Sequence, residues 1–112
     1  MNELQEITEA LLKFRNERDW EQFHDSRNLA LAISIEAGEL NELFLWKDKE
    51  ESEKVDKSRI AEELADILAF TFLLAKKHDL DIREIIMNKI GRNAKKYPVD
   101  KSRGTARKYN EL

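Results

Sequence analysis

Apolar residues along this chain recur at helical spacing and nowhere alternate with polar ones for long enough to make a strand. Leu4, Ile7, Leu11 and Phe14 form one stripe of a first helix, predicted to start near Asn2, where Gln5 three residues on makes a capping box, and to end near Arg18. The segment Asp19 to Ser26 mixes aromatic and polar residues, and Asp25 or Ser26 is placed to cap a second helix from about Arg27 to Trp46. Lys47 to Lys57 is almost wholly charged and reads as a solvated loop. A third helix is predicted from about Ser58 to His78. Asp81 with Glu84 makes a capping box for a fourth, which runs to about Lys96, just before Pro98. The remainder, about residues 99–112, reads as a basic tail. With only three glycines and one proline to punctuate the chain, an all-α fold of four main helices follows.

Two acidic pairs break the apolar pattern. In Leu29 to Trp46, Glu36 shares a stripe with Leu29, Ala32, Ile33, Leu40 and Leu43, and Glu39 follows it by three residues. In Ile60 to Ala75, Glu63 lies in line with Ile60, Ile67 and Phe70, and Asp66 in line with Phe70 and Leu73. A carboxylate on a core-facing stripe is costly to desolvate unless it takes a proton, pairs with a cation or binds a metal. Two antiparallel helices, each with carboxylates one turn apart, point four oxygen donors into one small volume, and all-oxygen ligation favours Mg²⁺, Mn²⁺ or Ca²⁺ over zinc. The competing reading is chance spacing among 23 acidic residues. The apolar stripes on which both pairs sit weigh against it. A di-iron bundle needs Glu-x-x-His on two helices. Only Glu21-Gln22-Phe23-His24 fits, and His78 has Ala75 three residues before it.

Composition sharpens this picture. A chain of 112 residues, 41% apolar, is one domain by length, spanning 1–112. Charges of both signs are interspersed to a net −3, which argues against a DNA, RNA or membrane binder. There is no cysteine to ligate a metal or form a disulfide. No signal-peptide pattern opens the sequence and no long uncharged apolar run follows, so a soluble, cytoplasmic protein is the expectation. The second and third helices are apolar on nearly all sides, more than so small a monomer can cover. A homo-oligomer is therefore expected, a dimer or a dimer of dimers, with the tetramer favoured.

Further candidates are weaker singly. Trp20 and Trp46 flank the second helix, and an indole can stack on a nucleobase. Lys89, Asn93 and Lys96 make a polar stripe able to hold phosphate oxygens. Lys101, Arg103, Arg107 and Lys108 around Gly104 form a flexible basic segment able to close over an anion.

Taken together, Glu17-Arg18-Asp19-Trp20-Glu21-Gln22-Phe23-His24, Arg27-Asn28-Leu29, Glu36-Ala37-Gly38-Glu39-Leu40, Trp46-Lys47, Glu63-Leu64-Ala65-Asp66, Lys95-Lys96-Tyr97-Pro98 and Arg107-Lys108-Tyr109 resemble the all-α nucleoside triphosphate pyrophosphohydrolase (MazG-like) family, and most of all its dCTP pyrophosphatase branch. The resemblance runs nearly end to end. It implies hydrolysis of a (deoxy)nucleoside triphosphate, dCTP or a related dNTP, to monophosphate and pyrophosphate, in house-cleaning or pool control. Mg²⁺ is the implied cofactor, with Mn²⁺ as a substitute, held by Glu36, Glu39, Glu63 and Asp66. Glu36 or Glu39 is the preferred base for the attacking water. The resemblance further puts Trp20 and Trp46 around the base, Phe70 near the sugar, Lys89 and Asn93 near the phosphates, and Lys96, Tyr97, Arg107 and Lys108 on the phosphate side. Trp20 and the basic tail are the parts expected to cross between subunits. Two positions depart from the animal members of that branch: Leu11 stands where they have histidine and Phe70 where they have tyrosine. The alternative reading is a non-catalytic nucleotide-binding or helical oligomerisation module with regulatory use.

Overall fold

A computed structural model describes residues 1–112, and every regular element in it is helical. The main helices are α1 (Glu3–Glu17), α2 (Ser26–Glu42), α4 (Lys57–Lys77) and α5 (Ile82–Lys96). Two short helices, α3 (Lys49–Ser52) and α6 (Val99–Ser102), and 3-10 turns at Glu21–Phe23 and Tyr109–Glu111 complete the set. The helix starts follow from side-chain caps. Asn2 and Gln5 form the reciprocal capping box predicted for α1. The carboxylates of Asp25 and Asp81 accept the backbone N–H groups of Asn28 and Glu84, both at 2.7–2.8 Å.

The chain divides into two compact units, residues 1–79 and 80–112. In the first, α4 is central, with α2 and α1 packed on it. Ser26 Oγ, at the start of α2, lies 2.8 Å from His78 Nε2, at the end of α4, so the two helices run antiparallel. Leu29, Leu43, Phe72, Leu73 and Ala75 form the buried core. That core is small, and it leaves a row on each helix in water: Leu31 and Ile35 on α2, Leu64 and Leu68 on α4. In the second unit, Ile85, Ile86, Met87 and Ile90 of α5 are exposed in the same way.

Three local expectations need correction. The second helix ends at Glu42, and hydrogen-bonded turns carry the chain on to Trp46. The charged stretch Lys47 to Lys57 contains a helical turn, α3, capped by Asp48, whose carboxylate accepts the N–H of Glu51. The tail is structured, with Pro98 opening α6, Gly104 reversing the chain at φ 75° and Tyr109 starting the last turn.

Candidate active site

The acidic cluster is built by register. Glu36 follows Leu29 by two turns on the buried stripe of α2, and Glu63 precedes Phe70 by two turns on α4. Antiparallel packing of these stripes brings one carboxylate oxygen each from Glu36, Glu39 and Glu63 within 4.8 Å of one another. Glu36 and Glu63 are half-buried and Glu39 is exposed. Glu36 Oε2 and Glu63 Oε2 are withdrawn from solvent and have no hydrogen-bond partner. Neither of the chain's two ion pairs, Arg15 with Glu21 and Lys54 with Glu50, reaches the cluster.

Unpaired charge of this kind resists ionisation. Desolvation, then the adjoining Glu39 and Glu63 carboxylates able to share its proton and the negative charges of Glu39 and Asp66, push the Glu36 pKa up to about 7. Desolvation also raises that of Glu63, with the charges of Glu39 and Asp66 adding to it. Orphaned oxygens converging with no protein cation are the donor set that a hard divalent cation satisfies. Asp66 stands outside the three-carboxylate group, and its charge is felt by both Glu36 and Glu63.

Asp66 also lines a cavity of about 270 Å³ with Leu11, Phe14, Arg15, Trp20, His24, Ala69, Phe70 and Leu73. This is just under the ~300 Å³ at which pockets for drug-sized ligands begin. One wall comes from the turn between α1 and α2. Asp19 takes a left-handed conformation at φ 53°, which an aspartate tolerates better than most residues, and Trp20 is folded edge-on against Phe14 with ring centroids 5.7 Å apart. The Arg18 guanidinium covers the Phe14 ring at 3.7 Å. The opposite wall is α4, where Phe70 meets the His24 ring edge-on at 6.4 Å.

His24 and Arg15 line this cavity too, and neither is among the candidate site residues that the sequence offers. Burial, then the positive charge of Arg15, lowers the His24 pKa, which keeps the imidazole neutral at pH 7. Its Nδ1 is buried without a partner. The Glu21-x-x-His24 spacing belongs to one of the motifs that carry the family resemblance and also fits half of a di-iron pattern. His24 instead ends the 3-10 turn Glu21–Phe23 and faces the cavity, and the carboxylate group contains no histidine.

The remaining predicted residues divide as follows. Trp20 and Phe70 join Asp66 in lining one cavity within the chain. Trp46 does not line this cavity and is 92% exposed. It sits at φ 63°, a left-handed conformation that a bulky residue adopts only under strain of about 1–3 kcal/mol. Lys89, Asn93, Lys96 and Tyr97 belong to α5 and its C-cap, and Arg107 and Lys108 to the segment before the last turn, all in the second unit.

No helix is long and apolar enough to cross a membrane. Known proteins align along most of the chain. The MazG-like family model matches residues 31–112. The dCTP pyrophosphatase 1 of Bos taurus is 42% identical over 97% of this chain and 68% of its own length, and that of Homo sapiens 39% over 97% and 67%. A crystal structure of a pyrophosphatase from Archaeoglobus fulgidus superposes with a TM-score of 0.83 at 33% identity, covering 88% of this chain and 94% of that one. With relatives this similar over nearly its whole length, and an all-helical architecture shared with the archaeal structure, the chain belongs to the MazG-like family.

Proposed function

We propose that residues 1–112 form one MazG-like pyrophosphohydrolase domain that splits a deoxynucleoside triphosphate, dCTP or a close relative, into monophosphate and pyrophosphate. The observation that carries this reading is the double position of Asp66, which lines the cavity while its charge acts on Glu36 and Glu63. A base held in the cavity sets its own phosphates beside the carboxylates. The dCTP pyrophosphatase names of the bovine and human relatives support the reaction class.

Glu36, Glu39, Glu63 and Asp66 are the residues that would hold Mg²⁺, or Mn²⁺ in its place. The bound cation supplies charge neutralisation for the triphosphate and polarises the α-phosphorus. Trp20, Phe14 and Phe70 sandwich the ring system and exclude water from it. The attacking water forms its bond to the α-phosphorus as the bond to the α–β bridging oxygen breaks, and pyrophosphate leaves with the electron pair. The proton of that water goes to Glu36 or Glu39.

Selectivity falls to few groups. Leu11 and Phe70 present only carbon to the cavity, which leaves Arg15 and His24 to read the polar edge of the base. Lys89, Asn93, Lys96, Tyr97, Arg107 and Lys108 are the phosphate-side candidates of the second unit. The exposed rows of α2 and α4 suit a second copy of the chain, giving a dimer or dimer of dimers, and Trp46 stands outward where such a copy can meet it. The deciding experiment incubates the protein with each common triphosphate, with Mg²⁺ and with chelator, and separates the products. Metal-dependent monophosphate plus pyrophosphate supports the reading. Diphosphate plus orthophosphate, or no turnover, overturns it.

A further inference from the structure

The Trp20 wall of the cavity is built by the way α1 ends. Arg18 is the C-cap residue, and Asp19, one place beyond it, turns left-handed at φ 53°. Two backbone bonds close the cap: Asp19 N–H donates to Asn16 O and Trp20 N–H to Arg15 O, both at 3.1 Å. A cap of this form is frequently accompanied by an apolar contact from the residue that follows it back to the last turns of the helix. Here that contact is Trp20 on Phe14, with ring centroids 5.7 Å apart, and both rings line the cavity. With 43% of its surface exposed, the indole is not held in place by burial. Its position depends on the turn.

Asp19 is the weak point of that turn. Glycine is the usual residue at this place, because it takes a positive φ without steric cost, and a side chain held there persists only when its surroundings over-determine it. Gln22 supplies that constraint. Its Nε2 donates to Asp19 O at 2.9 Å and to Asp19 Oδ2 at 3.1 Å, fixing the carbonyl and the carboxylate of one residue together. No other side-chain hydrogen bond reaches Asp19 or Trp20. Gln22 belongs to the 3-10 turn Glu21–Phe23, which leads on to His24, and Phe23 N–H donates to Trp20 O at 3.0 Å. The brace therefore lies between two cavity-lining residues, Trp20 and His24. Gln22 itself is exposed and does not line the cavity, so it acts on a ligand only through the turn. We propose that Gln22 is a positioning residue for base binding: by locking the left-handed Asp19 it holds the Trp20 indole as the aromatic wall against which a flat ring stacks. This rests on the reading that the cavity takes the base of the substrate.

The wall and its use are measured separately. Acrylamide quenching is read in a Trp46→Phe background, where Trp20 is the one remaining tryptophan. Gln22→Ala is expected to raise the quenching constant of Trp20, and Gln22→Lys, which keeps a donor for the two Asp19 oxygens, to restore it. Deoxycytidine monophosphate, the product of the proposed reaction, is then titrated calorimetrically with Mg²⁺ into the full-length protein, as wild type, Gln22→Ala, Gln22→Lys, Trp20→Ala and the Trp20→Ala/Gln22→Ala double variant. Gln22→Ala is expected to weaken binding about fivefold, the scale of the hydrogen bonding lost, and Gln22→Lys to bind as wild type does. Once Trp20→Ala has removed the wall, Gln22→Ala is expected to cost nothing further, because the two residues act as one unit. Gln22 is exposed, so its replacement leaves the core intact. Equal affinity in wild type and Gln22→Ala overturns the proposal. So does the same loss with and without the indole, since the brace would then serve something other than Trp20. Failure of the wild type to bind the nucleotide overturns the reading of the cavity as a base site, whereas unchanged quenching overturns the brace itself.

Discussion

Glu36 on α2 and Glu63 on α4 each withdraw an Oε2 atom from solvent without giving it a hydrogen-bond partner, and one oxygen from each lies within 4.8 Å of the other. Two carboxylates so placed repel when both are charged, and they are reconciled by a shared proton or by a cation.

Removing one of them should therefore separate stability from activity. Glu36→Gln and Glu63→Gln are expected to raise the melting temperature of the metal-free protein by a few degrees, because a repelling charge is lost, and to cut turnover by about 10²–10⁴-fold. Thermal denaturation in chelator and a product assay with Mg²⁺ check both. Near-normal turnover in both variants would remove the cluster from the mechanism.

The pH dependence follows from the raised pKa of Glu36. Between its ordinary 4.5 and about 7 the folded protein holds a proton that the unfolded chain releases. The stability this group contributes is therefore complete below about pH 4.5 and lost as pH rises through 7. In chelator, the stability of wild type relative to Glu36→Gln should fall across that window, and the gain in melting temperature on adding Mg²⁺ should grow across it, since the cation displaces the proton. Melting curves of both proteins from pH 4.5 to 7.5, with and without Mg²⁺, test the sign.

Base discrimination should rest on His24. The neutral ring with its unpartnered Nδ1 is a polar group that only a matching base edge satisfies. His24→Leu is expected to bring the kcat/KM values for different triphosphates to within about tenfold of one another, because an apolar wall discriminates weakly. Side-by-side kinetics on the common triphosphates measure this. An unchanged preference would shift base reading to Arg15.

Trp20 and Asp66 line one cavity of one chain, so their defects should not complement. Trp20→Ala should weaken substrate binding by about 1–3 kcal/mol, the worth of one base stacked on an aromatic ring. Mixed oligomers of Trp20→Ala and Asp66→Asn chains should recover no activity. Recovery on mixing would show that the indole serves a neighbouring chain.

The exposed rows Leu31 and Ile35, Leu64 and Leu68 should govern assembly. A charge at Ile35 or Leu68 is expected to lower the molar mass seen by light scattering and the melting temperature together. If the mass stays the same, these rows lie outside any interface.

The sequence by itself determined the helices and the acidic cluster, because both depend on local order. Caps at Asn2, Asp25 and Asp81 are short-range hydrogen bonds, and the stripe that buries Leu29 necessarily carries Glu36 on the same face. The turn at Lys49–Ser52 was legible too, in the Asp48-to-Glu51 cap spacing, but the surrounding charge obscured it. Only the tertiary structure decided what crosses between elements. That His24 and Arg15 face the same cavity as Asp66 and Phe70 depends on how the turn before α2 lies against α4, and no periodicity encodes that. That Trp46 points into water while Trp20 lines the cavity depends on backbone angles at two helix ends. That the basic tail closes on itself depends on a contact between Tyr97 and Tyr109, twelve residues apart in sequence. Spacing along a helix fixes which side chains share a face, whereas the packing of one face on another fixes which of them share a site.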